Sequence, residues 1–395
     1  MLQTARPAET PEAHPLLTPA QLSWLAKAKR YADAIPLSET IASDKENVFR
    51  RDRFETACQE GLGALPFPST YGGSAGDYVS FCLINEEFAK RCVPIMSSLG
   101  VHVLCQEPIY RFGSEEQKSK YLPGASSGRL LAAFGLTEPA AGSDTAALET
   151  TAKLAGDDYI LNGTKTWITS GGAADIYIVM AKVIDKAAEA DKPYGITAFI
   201  VERGCPGFDV GQKFDMLGMR GYATCELVFN DCRVPKASLL GELGAGRKVA
   251  LSSLAKGRVT IAAQATGWAQ GALNGSIKAL KESGHFKPNT SEHFSAIETI
   301  LGDMAVQIEA ARALTLQAAE SIDSGAGDVN LAAMAKVKAT DVAMKASTDA
   351  LSLAGELALE PRFLLERIFR DAKAGQIYEG TNQIQRMLIA RELTK

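Results

Sequence analysis

The chain has 395 residues, 46% of them hydrophobic, and a net charge of −4. That length supports a large core shared among two or three domains, and the slightly negative balance, with no motif of a nucleic-acid module, excludes nucleic acid as an expected partner. Its seven Cys are scattered without a C-x-x-C pair, and His14, His102, His285 and His293 have no carboxylates at ligand spacing, so neither a disulfide framework nor a metal site is expected.

Residues 1–17 are rich in Pro, Ala and Thr and lack the apolar stretch of a signal peptide, so a flexible tail is expected. No run of 18 apolar residues occurs, which points away from a membrane span and towards a cytoplasmic protein. From 18 to 129 apolar residues recur at helical spacing, notably over 21–34 and 79–88, and the loop Tyr71-Gly72-Gly73-Ser74 interrupts them. Gly72-Gly73-Ser74-Ala75-Gly76 matches G-x-S-x-G, but Pro66 and Pro68 make a poor buried strand before it, so a hydrolase is not expected.

From 130 to 240 the texture turns to short β-rich runs. Residues 159–161, the turn signal Asn162-Gly163 and residues 164–169 read as a hairpin. Residues 176–183, 196–201 and 225–229 read as further strands, with Pro235 at the exit. From 241 to 395 the pattern is helical again, over 247–273, 293–322, 331–356 and 383–393. The glycines of 241–246 follow no strand and read as a loop entering the first of these helices. The expected organisation is a tail (1–17), an α-helical domain (18–129), a β domain (130–240) and a helical bundle (241–395).

Three segments carry candidate chemistry. Residues 132–144 open as a strand and turn through small residues onto Thr137, Ser143 and Asp144. Small side chains let backbone N–H groups approach a flat or phosphorylated ligand, although an ordinary polar turn accounts for the pattern equally well. Trp167-Ile168-Thr169 sets an indole beside a hydroxyl, suited to covering an aromatic ring system, or else to filling the β core. Glu379 stands between Tyr378 and Gly380, just before a helix for which Thr381 is a suitable N-cap. In an apolar setting its pKa would rise towards neutrality, as a general base requires; on an exposed loop it would not.

Taken together, these segments resemble the acyl-CoA dehydrogenase family along nearly the whole chain. The resemblance rests on 136–144 (LTEPAAGSD), 163–170 (GTKTWITS), 217–221 (LGMRG), 226–235 (ELVFNDCRVP), Gly257-Arg258 and 370–386 (RDAKAGQIYEGTNQIQR). It implies an α+β fold: an N-terminal α-helical domain, a central β-barrel or sandwich domain and a C-terminal four-helix bundle. It also implies FAD as cofactor and α,β-dehydrogenation of an acyl thioester, acyl-CoA to trans-2-enoyl-CoA. By resemblance Glu379 is the base that takes the α-proton while the β-carbon passes hydride to flavin N5. The Glu379 N–H, with a flavin hydroxyl, polarises the thioester carbonyl. Phe134, Leu136, Thr137, Ser143, Trp167, Ile168, Thr169, Thr381 and Gln383 match FAD contacts, while Ser143, Arg258 and Gly380 match positions near the substrate. Some family members carry the base just before the arginine of the long helix; here that position is Gly257.

Two family motifs are not intact. The Arg-x-x-Phe-Gly segment that reaches a partner subunit's FAD reads Ser283-Gly284-His285-Phe286-Lys287. The Gln and Gly-Gly-x-Gly region reads 352–358, SLAGELA, with Glu356 where a glycine is usual. Loss of an arginine–phosphate contact removes about 1.5–3 kcal/mol, so either weaker FAD retention or a cross-subunit site rebuilt from other residues is expected. The resemblance further implies a homodimer or homotetramer and an electron-transfer flavoprotein as acceptor. Alternatives are a carrier-protein-tethered acyl substrate, direct use of O₂, and a flavin-poor subunit completing a partner's site.

Overall fold

The computed structural model describes residues 17–184, 193–284 and 296–395. The tail 1–16, the histidines at 14, 285 and 293 and residues 285–287 of the altered motif lie outside the described residues.

The first helical layer comprises α1 (Pro19–Asp33), α2 (Leu37–Glu46), α3 (Arg51–Gln59), α4 (Tyr78–Lys90), α5 (Met96–Phe112) and α6 (Glu115–Ser126). α1 begins in a capping box: the Thr18 hydroxyl accepts from the Gln21 N–H while the Gln21 side chain accepts from the Thr18 N–H. α4 and α5 are buried on almost all sides, as helices sandwiched between layers must be. The G-x-S-x-G segment has no strand before it, and Ser74 Oγ donates to the Gly61 carbonyl, so no nucleophile elbow exists.

The middle layer is one eight-stranded sheet: β1 (Ala132–Gly135), β2 (Thr151–Ala155), β3 (Asp158–Ile168), β4 (Ile176–Ile184), β5 (Pro193–Glu202), β6 (Phe208–Lys213), β7 (Cys225–Pro235) and β8 (Leu239–Leu240). The strand order is β6-β7-β3-β2-β4-β5-β8, with β1 pairing β4 in parallel. The expected hairpin at Asn162-Gly163 does not occur. β3 runs through both residues, and its pairing with β7 shifts register between Leu161 and Gly163. Gly163 (φ +145°) packs against Thr150, where a Cβ would lie 2.6 Å from Oγ1, and the dipeptide stays in the strand opposite a bulge whose extra residue lies on β7, where Asp231 is left-handed (φ +49°) and its N–H donates to Asn162 Oδ1. The actual hairpin between β2 and β3 turns at Gly156-Asp157.

The C-terminal layer is a bundle of α7 (Gly246–Ser283), α8 (Ala296–Asp323), α9 (Val329–Ala354), α10 (Leu365–Gly375) and α11 (Asn382–Leu393). α9 buries a stripe of alanines, Ala332, Ala335, Ala339 and Ala343, interrupted by Lys336, and such small side chains permit close helix packing. Among the described residues no helix is long and apolar enough to cross a membrane, and no cluster of His, Cys, Asp or Glu could hold a metal ion. All seven cysteines are unpaired.

Candidate active site

The turn between α10 and α11 holds the base candidate. The N–H groups of Ile377 and Tyr378 both donate to the Ala374 carbonyl, and the Asn382 N–H reaches back to Gln376. Thr381 caps α11 as expected, its hydroxyl accepting from the Ile384 N–H. Between these anchors Glu379 (φ +52°) and Gly380 (φ +90°) both adopt left-handed backbone. A glutamate there is strained, and such strain concentrates at functional sites.

The strained turn aims the Glu379 carboxylate inward. Oε2 is buried and has no hydrogen-bond partner among the described residues. It lies on α7 directly over Gly257, where an added Cβ would sit 2.0 Å from Oε2 and 2.7 Å from Leu104 Cδ1 of α5. Only hydrogen at that position leaves room for the carboxylate. Burial raises the Glu379 pKa to about 7, and the nearby Arg258 and Lys336 cations keep it from rising further. Arg258 is itself buried, its Nε unpaired, and burial pulls its pKa down while Glu379 pushes it up. The Glu379 backbone N–H makes no hydrogen bond among the described residues, which leaves a donor beside the carboxylate.

A second cluster forms where β1 and β3 end. The pairing of β3 with β7 slips between Lys165 and Ile168, inserting one residue. Trp167, in left-handed backbone at φ +60°, is thrown out of the sheet and is 56% exposed. Its ring stacks on Phe214 at a centroid separation of 4.0 Å. This rules out the core-filling role for the tryptophan and presents an aromatic ring at the surface. Phe134 and Leu136 are half-buried, and no hydrogen bond among the described residues engages the side-chain hydroxyls of Thr137, Ser143 or Thr169. No neighbour within 4 Å would meet a Cβ at Gly142. Aromatic face, unengaged hydroxyls and open backbone fit a flat, phosphorylated cofactor such as FAD.

The two clusters are neighbours through α5. Ser98 Oγ accepts from Ser170 Oγ at the end of β3, and Leu104, six residues on, touches the Gly257 site. That separation is about 9 Å along a helix. Three expected contacts fit less well. Ile168 is buried in the core; the Thr381 hydroxyl is engaged in its cap; Gln383 is exposed on α11 with no hydrogen-bond partner among the described residues.

Other residues of the site escape a motif-based reading. Glu138 and Lys165 form a buried ion pair at 2.6 Å, and the Glu138 carboxylate also accepts from the N–H groups of Glu149 and Thr150. Burial would raise the Glu138 pKa, but Lys165 and these donors hold it below its ordinary value. Burial lowers the Lys165 pKa to about 8, so the pair is charged at neutrality. The pair ties the loop after β1 to the strand bearing Trp167. Tyr378 donates to Gln264 Oε1 at 3.3 Å, and Gln264 Nε2 to Asn85 Oδ1 at 2.9 Å. The one signal of these residues in the sequence is a charge or amide at a position whose periodicity faces inward.

Family models described as acyl-CoA dehydrogenase N-terminal, middle and C-terminal domains match residues 18–129, 133–232 and 244–394. The chain is 39% identical over 377 residues to acryloyl-CoA reductase (NADH) of Anaerotignum propionicum, covering 95% of this chain and 94% of that one. It superimposes on butyryl-CoA dehydrogenase from Megasphaera elsdenii with a TM-score of 0.90 and 39% identity, covering 96% and 99% of the two chains. The same TM-score, at 41% identity and equal coverage, relates it to a chain in the structure described as "Electron transferring flavoprotein of Acidaminococcus fermentans: Towards a mechanism of flavin-based electron bifurcation".

Proposed function

This chain belongs to the acyl-CoA dehydrogenase family, and from that premise we propose that it dehydrogenates a short acyl-CoA at its α and β carbons with Glu379 as base. The observation that carries the reading is the buried, unpaired Oε2 of half-buried Glu379, beside a backbone N–H with no partner among the described residues. FAD, when bound, supplies the acceptor for the hydride leaving the β carbon. Phe134, Leu136, Thr137, Ser143, Trp167 and Thr169 would hold it, with Thr381 and Gln383 at its margin.

Glu379 removes the α-proton. Its pKa of about 7 suits proton abstraction, being low enough for ionisation at neutrality and high enough to hold the proton it takes. The Glu379 N–H stabilises charge developing on the thioester oxygen, and buried Arg258 adds positive field. The desolvated site strengthens each of these interactions.

Helix α7 supports a short acyl chain. Residues 257, 260, 261 and 264 share one face, and buried Gln264 lies about 10 Å along that face from Gly257. Its bonds to Tyr378 and Asn85 close the far end with polar groups an alkyl chain cannot displace cheaply. Replacing Gln264 by Gly is expected to raise kcat/KM for octanoyl-CoA about tenfold relative to butyryl-CoA. An unchanged ratio in a substrate-length series would remove Gln264 from the pocket.

The proposal includes an electron-transfer flavoprotein as acceptor, a homo-oligomer and a reducing, cytoplasmic location. Exposed apolar Val306, Ile377, Met387 and Leu393 on the C-terminal layer support self-association, and seven unpaired cysteines support a reducing compartment. Glu356 lies exposed in the turn 355–359 and sets negative charge where the family presents glycine to a pyrophosphate. FAD is therefore expected to fall below one equivalent after prolonged dialysis, read from flavin absorbance per protein. Full retention would show that other residues rebuild the contact.

A further inference from the structure

Lys336 is fully buried in the alanine stripe of α9, an unusual place for an ammonium unless its charge is used. Nζ donates to the Gly380 carbonyl and to Asn382 Oδ1, both at 2.9 Å. Gln385 Nε2 reaches the same Gly380 carbonyl and that of Glu379, both at 3.1 Å. The two carbonyls of the left-handed turn are thus held by two side chains, one of them charged. Asn382 is fixed in turn by Thr340 and Asp341.

The charges around this point are few. Lys336 faces Glu379 and Asp341 on the negative side and Arg258 and Arg386 on the positive. Asp341 is already paired with Arg386 and accepts from Gln376 and Asn382. Glu379 faces the cations Arg258 and Lys336, the phenols of Tyr78 and Tyr378, and the Cys105 thiol; burial raises the pKa of these last three, keeping them neutral. Among the described residues Lys336 forms no salt bridge, so the carboxylate with most need of its charge is that of Glu379.

We propose that Lys336 is a positioning residue for the base: its ammonium locks the Gly380 carbonyl, and with it the Glu379–Gly380 turn, while its charge compensates a carboxylate that has no hydrogen-bond donor of its own. Burial lowers the Lys336 pKa to about 8, so the ammonium persists at neutrality. The inference rests on Glu379 being the base.

The test uses FAD-loaded full-length protein and the pH dependence of flavin bleaching on mixing with butyryl-CoA. Lys336→Met preserves length and packing but removes charge and donors. Its acidic limb is expected to move up by about one pH unit, the low end for losing a nearby opposite charge, with a loss at pH 7 that recovers in part at pH 9. Lys336→Arg should return the limb towards its original position. A purely structural lysine would lower the rate at every pH and leave the limb in place, and that result overturns the proposal. If Lys336→Met does not fold, Lys336→Gln, neutral but still able to donate to Gly380, carries the same expected shift and decides alone. Glu379→Gln in the same assay separates the two readings: bleaching there removes the base and this inference together. A silent Glu379→Gln beside an unshifted Lys336→Met removes only the role of Lys336.

Discussion

Glu379→Gln is expected to slow flavin reduction by butyryl-CoA by roughly 10⁴-fold, the upper end for loss of a positioned general base. The amide keeps the shape of the side chain, and the turn is held through carbonyls by Lys336 and Gln385, so flavin absorbance should be retained. In the unaltered protein the base must be ionised. With its pKa at about 7, the rate should be flat above that pH and fall tenfold per unit below it. The effect on stability has a defined sign. A carboxyl whose folded pKa lies above its ordinary 4.5 favours the fold below pH 4.5 and loses that contribution as pH rises through 7. Glu379→Gln should therefore melt higher than the parent at pH 8, with the difference smaller or reversed at pH 4.5. Appreciable bleaching by the variant, or a parent profile flat to pH 5, would sink the assignment.

Gly257→Ala is the second large effect. The new methyl would stand 2.0 Å from Glu379 Oε2 and 2.8 Å from Cδ, with Leu104 Cδ1 closing the other side at 2.7 Å. The carboxylate must retreat by more than about 1 Å to reach ordinary contact, and misplacement on that scale costs on the order of 10²-fold in rate. Alanine is nonetheless the better helix former by about 1 kcal/mol, so the melting temperature should not fall by more than the local crowding demands. A variant that folds and binds FAD but bleaches about a hundred times more slowly is the expected outcome. An unchanged rate would mean that the base does not rest against α7 in the working enzyme.

Much of the architecture was legible because it depends on local periodicity. Amphipathic spacing marked α1, α4, α8, α9 and α11, and β-rich runs marked β4, β5 and β7, to within a few residues or within longer elements. The Asn162-Gly163 dipeptide misled because a residue pair that permits φ > 0 also fits inside a strand opposite a bulge, and the β7 partner, which carries the extra residue, decided between them. Trp167 was ambiguous for the same reason: alternation cannot show that the bulge just before Ile168, the partner of Cys225, turns the indole outward.

Residue types within short segments were enough to identify the family, the order of helical and β layers and Glu379 as the candidate base. Three further facts emerge only once the chain is packed. Glu379 is half-buried with its Oε2 turned inside, Gly257 is the space its carboxylate occupies, and Lys336 and Arg258 face it from different helices. Burial and charge pairing are sums over neighbours brought from more than forty and one hundred residues away, and no local pattern encodes them.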